Sequence, residues 1–468
     1  MQTAAVPAVP ATSWPDGPVT VLSCVAPAAP ASLANHRHYA FAHGYRHEVV
    51  EMADGPDGPD GPQLQALYRY ERLLDALRRL PEGALVLLLS ENAAIVHPVP
   101  LPRLMQGREC LLVATSAPTA QPNVQFWRNT PASRATVATL LARCRLGGDL
   151  PFDGESALLA PLPALPWHQS VDGLCAVMAT GPNVDPRWSV VPTFAVSLDA
   201  ATHSPPELGI VPRFREVLFS HINDCQLHAR QPFVFPDSPP VPAEDRSTFN
   251  PGHPVALVTL YTPGIACYGH IAELSLRRYC ARHGYTLHVY RDIPRETGLQ
   301  ATGNWFKPWL LHGWLAHHEW VVWLDADVLV ADPDRPLAPM LDGRDCLLAR
   351  DIGQWPFNSG IMAFRRTPAN LAMLAALMER IAAMPDRSSV YAGNGDQFHF
   401  ICAMREHHLL EHARIESPLL INTPWFMRAN DSFLVHYFGM WTHMRALMMH
   451  ADNARHAPAA HGCHGMHQ

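Results

Sequence analysis

The chain has 468 residues, 48% hydrophobic and 16% charged, with a formal net charge of −7. That length is too great for one ordinary hydrophobic core, so two or three domains are expected, and the acidic balance offers no broad basic face for nucleic acid. Ten cysteines are scattered with no CxxC pair and read as free thiols of a reducing compartment. The opening "MQTAAVPAVPATSWPDGPVT" has neither the basic nor the apolar region of a signal peptide, and no run of about 18 apolar residues marks a membrane span. A cytoplasmic location is therefore expected.

Taken in chain order, the elements repeat. "HYAFAHGYRHEVV" (38–50) matches "RYCARHGYTLHVY" (278–290), and "ALVLLLSENAAIVHP" (84–98) matches "EWVVWLDADVLVADP" (319–333). "LMQGRECLLVA" (104–114) matches "MLDGRDCLLAR" (340–350), and "FWRNTPASRATVATLLARC" matches "AFRRTPANLAMLAALMERI". Four blocks in one order point to two related domains, 17–231 and 254–457. Between them, 232–253 is Pro-rich and reads as a linker; 458–468 is a His-rich tail. That tail, with His461, Cys463, His464 and His467 beside His456, could hold a metal adventitiously or serve no function.

The second copy alternates strand and helix. "VALVTLYT" is a strand, "GHIAELSLRRYCARHG" a helix closed by Gly284, and "TLHVYRD" a strand. "KPWLLHGWLAHH" is a helix that feeds the strand "VVWLDADVLV" (321–330), and "FNSGIMAFR" is another strand. Thr367 caps a further helix whose first residue, Pro368, suits that position. Such alternation implies an α/β sheet, with ligands at the carboxyl ends of its strands.

Asp325 and Asp327 fall at such an end. Read as one strand, 321–330 places both carboxylates on one face, where like charges beside a core call for a cation between them. A surface turn or a helix cap would account for Asp-x-Asp without a metal. An aspartyl phosphatase would also use it, but on the first strand of its domain and with a downstream acidic pair; here two strands precede it. A non-catalytic sugar- or nucleotide-binding protein is a further alternative. The remaining reading is a metal that bridges the diphosphate of a nucleotide sugar.

"WLDADVLV", "FNSGIMAFRRT", "GNGDQFHF" and "FLVHYFG", in that order, resemble the GT-A-fold retaining glycosyltransferases, nearest to yeast-type α-galactosyl and α-mannosyl transferases and plant xyloglucan xylosyltransferases. The resemblance covers roughly 255–445 and, degraded, the first copy. It implies an α/β protein of two tandem GT-A (Rossmann-like) domains that moves a hexose or pentose from a nucleoside-diphosphate sugar to an acceptor hydroxyl of a glycan, protein or small molecule. It implies Asp325, Asp327 and His436 as ligands of Mn²⁺ or another divalent cation. Imidazole among carboxylates favours Mn²⁺ over Mg²⁺. Lys307 and Gly439 would lie at the phosphates, Asn358 and Ser359 at the donor sugar, and Asp396 and Gln397 at the reacting centre. Tyr261 would stack on the base or fill the core, and Trp305, Trp309, Trp355 and Trp425 could face an acceptor. Laid on the second copy, the first has Ser90 for Asp325, Asn92 for Asp327, Ser197 for His436 and Gln121-Pro122-Asn123 for 358–360. It is therefore expected to be a catalytically dead copy.

Overall fold

The computed structural model describes residues 17–52, 61–114, 120–146, 154–159, 167–169, 175–179, 194–199, 212–230, 242, 244–353, 355–387, 395–440 and 442–454. The chain divides into two compact units, Met1–Phe235 and Pro236–Gln468. The first contains β1 (Val19–Val25), α1 (Pro30–Ala42), β2 (Arg46–Glu51), α2 (Gly61–Arg79), β3 (Leu85–Ser90), β4 (Ala93–Ile95), α3 (Leu101–Met105), β5 (Cys110–Ala114), β6 (Ala120–Arg128), α4 (Pro131–Leu146), α5 (Glu155–Leu159), β7 (Trp167–Gln169), β8 (Cys175–Ala179), β9 (Ala195–Asp199) and α6 (Pro212–Leu227). The second contains β10 (Arg246–Phe249), β11 (Val255–Leu260), α7 (Ala266–His283), β12 (Thr286–Tyr290), α8 (Lys307–Leu315), β13 (Trp320–Leu324), β14 (Val328–Val330), α9 (Ala338–Leu341), β15 (Cys346–Ala349), β16 (Asn358–Arg365), α10 (Pro368–Ala383), α11 (Asp396–Glu406), β17 (Arg414–Glu416), β18 (Thr423–Pro424), β19 (Leu434–His436) and α12 (Thr442–Ala454).

The units share one topology. The first has a sheet of order β2-β1-β3-β6-β5-β7 and a small sheet β4-β9-β8; the second has β10-β12-β11-β13-β16-β15-β17 and β14-β19-β18. Apart from the added β10, each strand has a counterpart. Even the irregularity in the β5–β6 ladder, between Leu112 and Val113, recurs between Leu348 and Ala349 in β15–β16. The central strands β1, β3, β11 and β13 are predominantly apolar, broken only by Thr20, Ser23, Ser90 and Thr259, and are buried along their whole length, as strands covered on both faces must be. In the second unit Leu310 and Leu311 of α8 and Leu374 and Leu377 of α10 pack on Val321, Trp323 and Phe364. Each such fully buried side chain contributes roughly 1.5–3 kcal/mol.

One clamp appears twice. Gly44 and Gly284 turn the chain out of α1 and α7 at φ 65° and 68°, which a side chain would strain. In the first unit Tyr39 Oη donates to Val99 O (2.8 Å), His43 Nε2 to Pro98 O (2.8 Å), and Tyr45 Oη accepts from Leu101 N (3.1 Å). In the second, Tyr279 Oη donates to Arg335 O (3.0 Å), His283 Nε2 to Pro333 O (2.8 Å), and Tyr285 Oη accepts from Leu337 N (3.1 Å). The "HGY" match is thus a structural fastening. The Thr-Pro helix starts are also built alike: Thr130 Oγ1 accepts from Ser133 N and Thr367 Oγ1 from Asn370 N, both at 3.1 Å.

Two expectations are corrected. Residues 321–330 are not one strand. β13 ends at Leu324, the chain turns with Val328 N bonded to Asp325 O (3.0 Å), and β14 joins the other sheet. The carboxylates therefore converge through a turn rather than through strand alternation. The stretch 232–253 is not linker throughout, because β10 pairs antiparallel with β12. Arg291 fixes it by donating to Glu244 O and Ser247 Oγ while its other nitrogens hold the buried Glu273. The rest of that stretch up to 241, and the tail 458–468 with His456, lie outside the described residues. Among the described residues no helix is long and apolar enough to cross a membrane, and the eight cysteines whose side chains are described are free thiols.

Each unit buries a neutral histidine. His36 donates to Ala93 O through Nε2 (2.9 Å) and meets Ser23 Oγ at Nδ1 (3.0 Å). His288 meets Thr248 Oγ1 at Nδ1 (2.9 Å) and His318 Nε2 at Nε2 (3.0 Å), and its ring stacks on Trp314. Burial, helped at His288 by His318, lowers the pKa to about 4 for His36 and about 3 for His288. A lowered histidine pKa stabilises the fold above the ordinary value near 6.5; that stability is lost as pH falls toward the folded values. Urea midpoints of both units should therefore fall steadily from about pH 6.5 to about pH 4, by up to roughly 1.4 kcal/mol per pH unit per histidine. Midpoints constant over that interval would contradict the assignment.

Candidate active site

A cavity of about 480 Å³ opens at the carboxyl ends of β11 and β13, a volume suited to a small-molecule ligand. Asp325, Asp327, His436 and Lys307 line its floor; Asn358, Ser359 and Gly360 from β16 and Gly395, Asp396 and Gln397 from the start of α11 form one side. Thr262, Ile265, Tyr268, Gly439 and Arg445 also line it, with Arg445 against Asp327.

The elements fix each group. Asp325 N donates to Gly360 O (2.8 Å), which ties the turn after β13 to β16. The β14–β19 ladder sets Val328 opposite His436, so the imidazole arrives beside the same turn. His436 Nε2 lies 3.1 Å from Asp327 Oδ1 and 4.0 Å from Asp325 Oδ2, and its Nδ1 is 2.8 Å from Asn422 Oδ1. Gly360 makes room for the ring: a Cβ there would sit 2.3 Å from His436 Cε1 and 2.6 Å from Nδ1. Glycine is required at this position by close approach.

Two cations are spread among three carboxylates. Lys307 Nζ lies 2.9 Å from Asp325 Oδ1 and 2.9 Å from Asp396 Oδ2, and also meets Ser359 O and Oγ. Arg445 Nη1 lies 3.0 Å from Asp327 Oδ2 and donates to Tyr268 Oη (2.9 Å). Trp323 Nε1 donates to Asp325 Oδ1 (2.6 Å), Ser359 Oγ to Asp396 Oδ2 (3.0 Å), and Ser359 N to Gln397 Oε1 (3.1 Å). Burial alone would lower Lys307, but Asp325 and Asp396 outweigh it and hold the ammonium charged. Burial raises Asp325 against the pull of Lys307. At Asp327 burial acts in the same direction, yet His436 and Arg445 overcome it and hold the carboxyl well below its usual range. Three carboxylates thus face two fixed cations, Lys307 and Arg445.

The residues fit a divalent cation. One ligand atom each from Asp325, Asp327 and His436 lies within 4.8 Å of the others. Two carboxylates and an imidazole suit a first-row cation such as Mn²⁺. Packing these acceptors together is unfavourable unless positive charge joins them.

Most of the anticipated positions meet here: Asp325, Asp327, His436, Lys307, Asn358, Ser359, Asp396, Gln397 and Gly439, the last at φ 72°. Tyr261 does not. It is fully buried, its Oη donates to Glu273 (2.7 Å), and its ring lies where a Cβ on Gly269 would be 2.5 Å away. It fills the core rather than facing a base. Of the four tryptophans, Trp355 lines the cavity; Trp305 and Trp425 are buried and donate to Arg387 O and Phe438 O, and Trp309 packs against the core. Sequence reasoning missed Trp323, Asn422 and Arg445. The first precedes the Asp pair by two residues and could have been suspected; Asn422 sits in an unmarked loop.

The counterpart positions in the first unit form a closed, neutral network. Ladder registers equate Leu89–Val124 with Leu324–Ile361 and Ala93–Ser197 with Val328–His436, which places Asn123 at Gly360 and Ser197 at His436. Ser90 Oγ donates to Asn123 Oδ1 (2.8 Å), and Asn123 Nδ2 donates to Ser197 Oγ (3.0 Å) and Leu198 O (2.8 Å). An amide thus occupies the space of the would-be cation site, and a small serine permits the Cβ that His436 forbids. Arg215, the fourth residue of α6 as Arg445 is of α12, still reaches Asn92 Oδ1 (3.3 Å).

No protein-family model and no curated protein matches the chain. Among solved structures it is similar to a glycosyltransferase involved in glycosylation of the major capsid of PBCV-1, at 16% identity and TM-score 0.35 over 42% of this chain and 98% of that one. It is also similar to the apo-form glycosyltransferase GlyE of Streptococcus pneumoniae TIGR4 (13%, TM-score 0.29, 43% of this chain and 62% of that one). A third is the galactosyltransferase LgtC in complex with donor and acceptor sugar analogues (12%, TM-score 0.27, 42% and 95%).

Lys307 is 2% exposed and bridges two carboxylates, so its removal strands both. Lys307→Met should lower the stability of the second unit by about 3–5 kcal/mol, read from the urea midpoint. A loss of only about 0–1 kcal/mol, as for a surface ion pair, would mean that water or ions replace it freely.

Proposed function

We propose that the second unit is a metal-dependent glycosyltransferase of the GT-A type, which moves a hexose or pentose from a nucleoside-diphosphate sugar to an acceptor hydroxyl with retention of configuration. The observation that carries this reading is the convergence of Asp325, Asp327 and His436 at the floor of a cavity at strand carboxyl ends. These three residues would hold Mn²⁺ or a similar cation. When bound, that ion offsets the negative charge that grows on the departing diphosphate.

The chain's own groups complete the site. Lys307 fixes Asp325 and Asp396 relative to each other. Gly439, at positive φ, presents backbone without a side chain where a diphosphate must approach. Gln397 has its Oε1 engaged by Ser359 N, so its Nε2–H groups are what it offers a sugar hydroxyl. Asp396 Oδ2 is engaged by Ser359 and Lys307, which suits it to orient rather than attack. Transfer then needs no carboxylate nucleophile. The acceptor oxygen bonds to the anomeric carbon on the face from which the diphosphate departs. The carbon–phosphate-oxygen bond breaks, and the acceptor's proton passes to the leaving phosphate oxygen. The first unit, whose counterpart site is sealed by Asn123, is on this reading an inactive copy.

Incubation of the full chain with Mn²⁺ and a panel of nucleotide sugars should release nucleotide and, with an acceptor mixture, yield sugar-modified product by mass spectrometry. Asp325→Asn or Asp327→Asn should abolish release while the chain stays folded, and Mn²⁺ should bind once per chain in the wild type and not at all in the double variant. Release at the wild-type rate in EDTA or in either variant would sink the metal role. Metal-dependent nucleotide binding without transfer would favour a binding protein, and phosphate released from simple monoesters a phosphatase.

A further inference from the structure

His436 can ligate through Nε2 only if its proton resides on Nδ1, and a chain of hydrogen bonds that starts at a backbone amide determines where that proton is. Gly360 N–H donates to Asn358 Oδ1 (2.9 Å), and Asn358 Nδ2 donates to the Asp351 carboxylate (3.3 Å). A backbone N–H can only donate and a carboxylate can only accept, so the Asn358 amide has one orientation. Its Oδ1 also faces Asn422 at 3.0 Å, and the Asn422 atom there must be the NH₂ group. Asn422 therefore turns its Oδ1 to His436 Nδ1 at 2.8 Å, and Nδ1 must carry the hydrogen. Nε2 faces Asp327 Oδ1 at 3.1 Å and Asp325 Oδ2 at 4.0 Å, so it is the ring nitrogen that a cation between these carboxylates would meet.

We infer that Asn422 is a positioning residue of the cation site: it sets the tautomer and angle of His436 from a relay anchored in the β16 backbone. The inference rests on the metal site proposed above. Two further observations support it. Asn422 is 3% exposed and holds φ 72°, a left-handed conformation that asparagine tolerates better than most residues; the backbone is bent so as to deliver this side chain. In the first unit, the β8–β9 register puts Cys175 at the place of Asn422, and there the histidine is Ser197. The orienting amide and the ring it orients are absent together, while Arg215 and the Thr-Pro start remain. Phe438 packs edge-on to the His436 ring, and the acceptor at Nδ1 is Asn422 Oδ1, while Asp327 faces the other ring nitrogen.

Glycine adopts left-handed backbone without strain, so Asn422→Gly removes the side chain and keeps the turn. Mn²⁺ alone, titrated into the full chain, should bind this variant about 10- to 100-fold more weakly than wild type. Asn422→Asp keeps an acceptor for Nδ1–H but gives up the donor to Asn358 Oδ1, and should lose clearly less affinity than Asn422→Gly, with thermal melts showing both variants folded. The tautomer is read separately by ¹⁵N NMR of histidine-labelled, metal-free chain at about pH 8.5, where ordinary imidazoles are neutral; subtraction of the His436→Gln spectrum isolates the signal. The expected pattern is a protonated Nδ1 in wild type, whatever the state of Nε2, and loss of that fixed Nδ1–H signal in Asn422→Gly. A wild-type ring bare at Nδ1 overturns the inference, as does wild-type Mn²⁺ affinity in Asn422→Gly, or equal loss in the Gly and Asp variants. Absence of Mn²⁺ binding by the wild type would overturn the metal site while the tautomer measurement still judges Asn422.

Discussion

Crowding of like charge governs the second unit. Asp325, Asp327 and Asp396 share one partly enclosed cavity, and a low-dielectric setting magnifies their repulsion. Lys307 lies between the first and third, Arg445 abuts the second, and His436 faces both members of the Asp pair. None of these partners is local in sequence to the turn that carries the pair. They come from α8, α12 and β19, so elements spread along the whole second unit are needed to assemble them. The site is thus a consequence of topology: β14 leaves the main sheet directly after the turn, and its ladder with β19 carries the histidine in.

The first unit is the same scaffold with that constraint removed. Its sheet order, its register, its ladder irregularity and its tyrosine–histidine clamp are all present. Those features are held by apolar burial and by backbone-directed hydrogen bonds, which do not depend on any charge in the cavity. The exchange of Gly360 and His436 for Asn123 and Ser197 is sterically reciprocal. A ring needs a glycine opposite; a hydroxyl leaves space for a side chain, and the amide that enters saturates its neighbours. The first unit also carries a buried pair of opposite charge, Arg69 of α2 with Glu155 at the start of α5. A buried pair of opposite charge is costly to break from one side, which is a physical reason for it to persist without the metal site.

Electrostatics also bears on what the cavity can hold. Both cationic side chains at its floor are already paired with carboxylates. On the function proposed above, a diphosphate would meet cationic side chains already engaged by carboxylates, so its charge would fall to an ion between the three acceptors and to backbone at Gly439. The pre-existing pairs instead keep the acceptors in place before any ligand arrives, which reduces the ordering cost of binding.

The sequence by itself determined the class of each unit, the repeat, and the identity of nearly every group at the cavity floor. Buried parallel strands must be predominantly apolar and helices must carry a periodic face, so "VALVTL", "WVVWL" and the Thr-Pro helix starts were legible as elements. An Asp pair at the end of such a run was legible as a charge problem that needs a cation. Tertiary structure alone decided the rest, because those facts are contacts between residues far apart in the chain. It placed Asp325 and Asp327 on a turn between two sheets rather than on one strand, and it drew Arg246–Phe249 out of an assumed linker. It buried Tyr261 against Gly269 instead of exposing it to a base. It brought Arg445 and Asn422, which carry no motif, to Asp327 and His436. A hydrogen-bond relay through Asn358 and Asn422 depends on orientations of amides separated by 64 residues, and no local pattern encodes an orientation that only packing can fix.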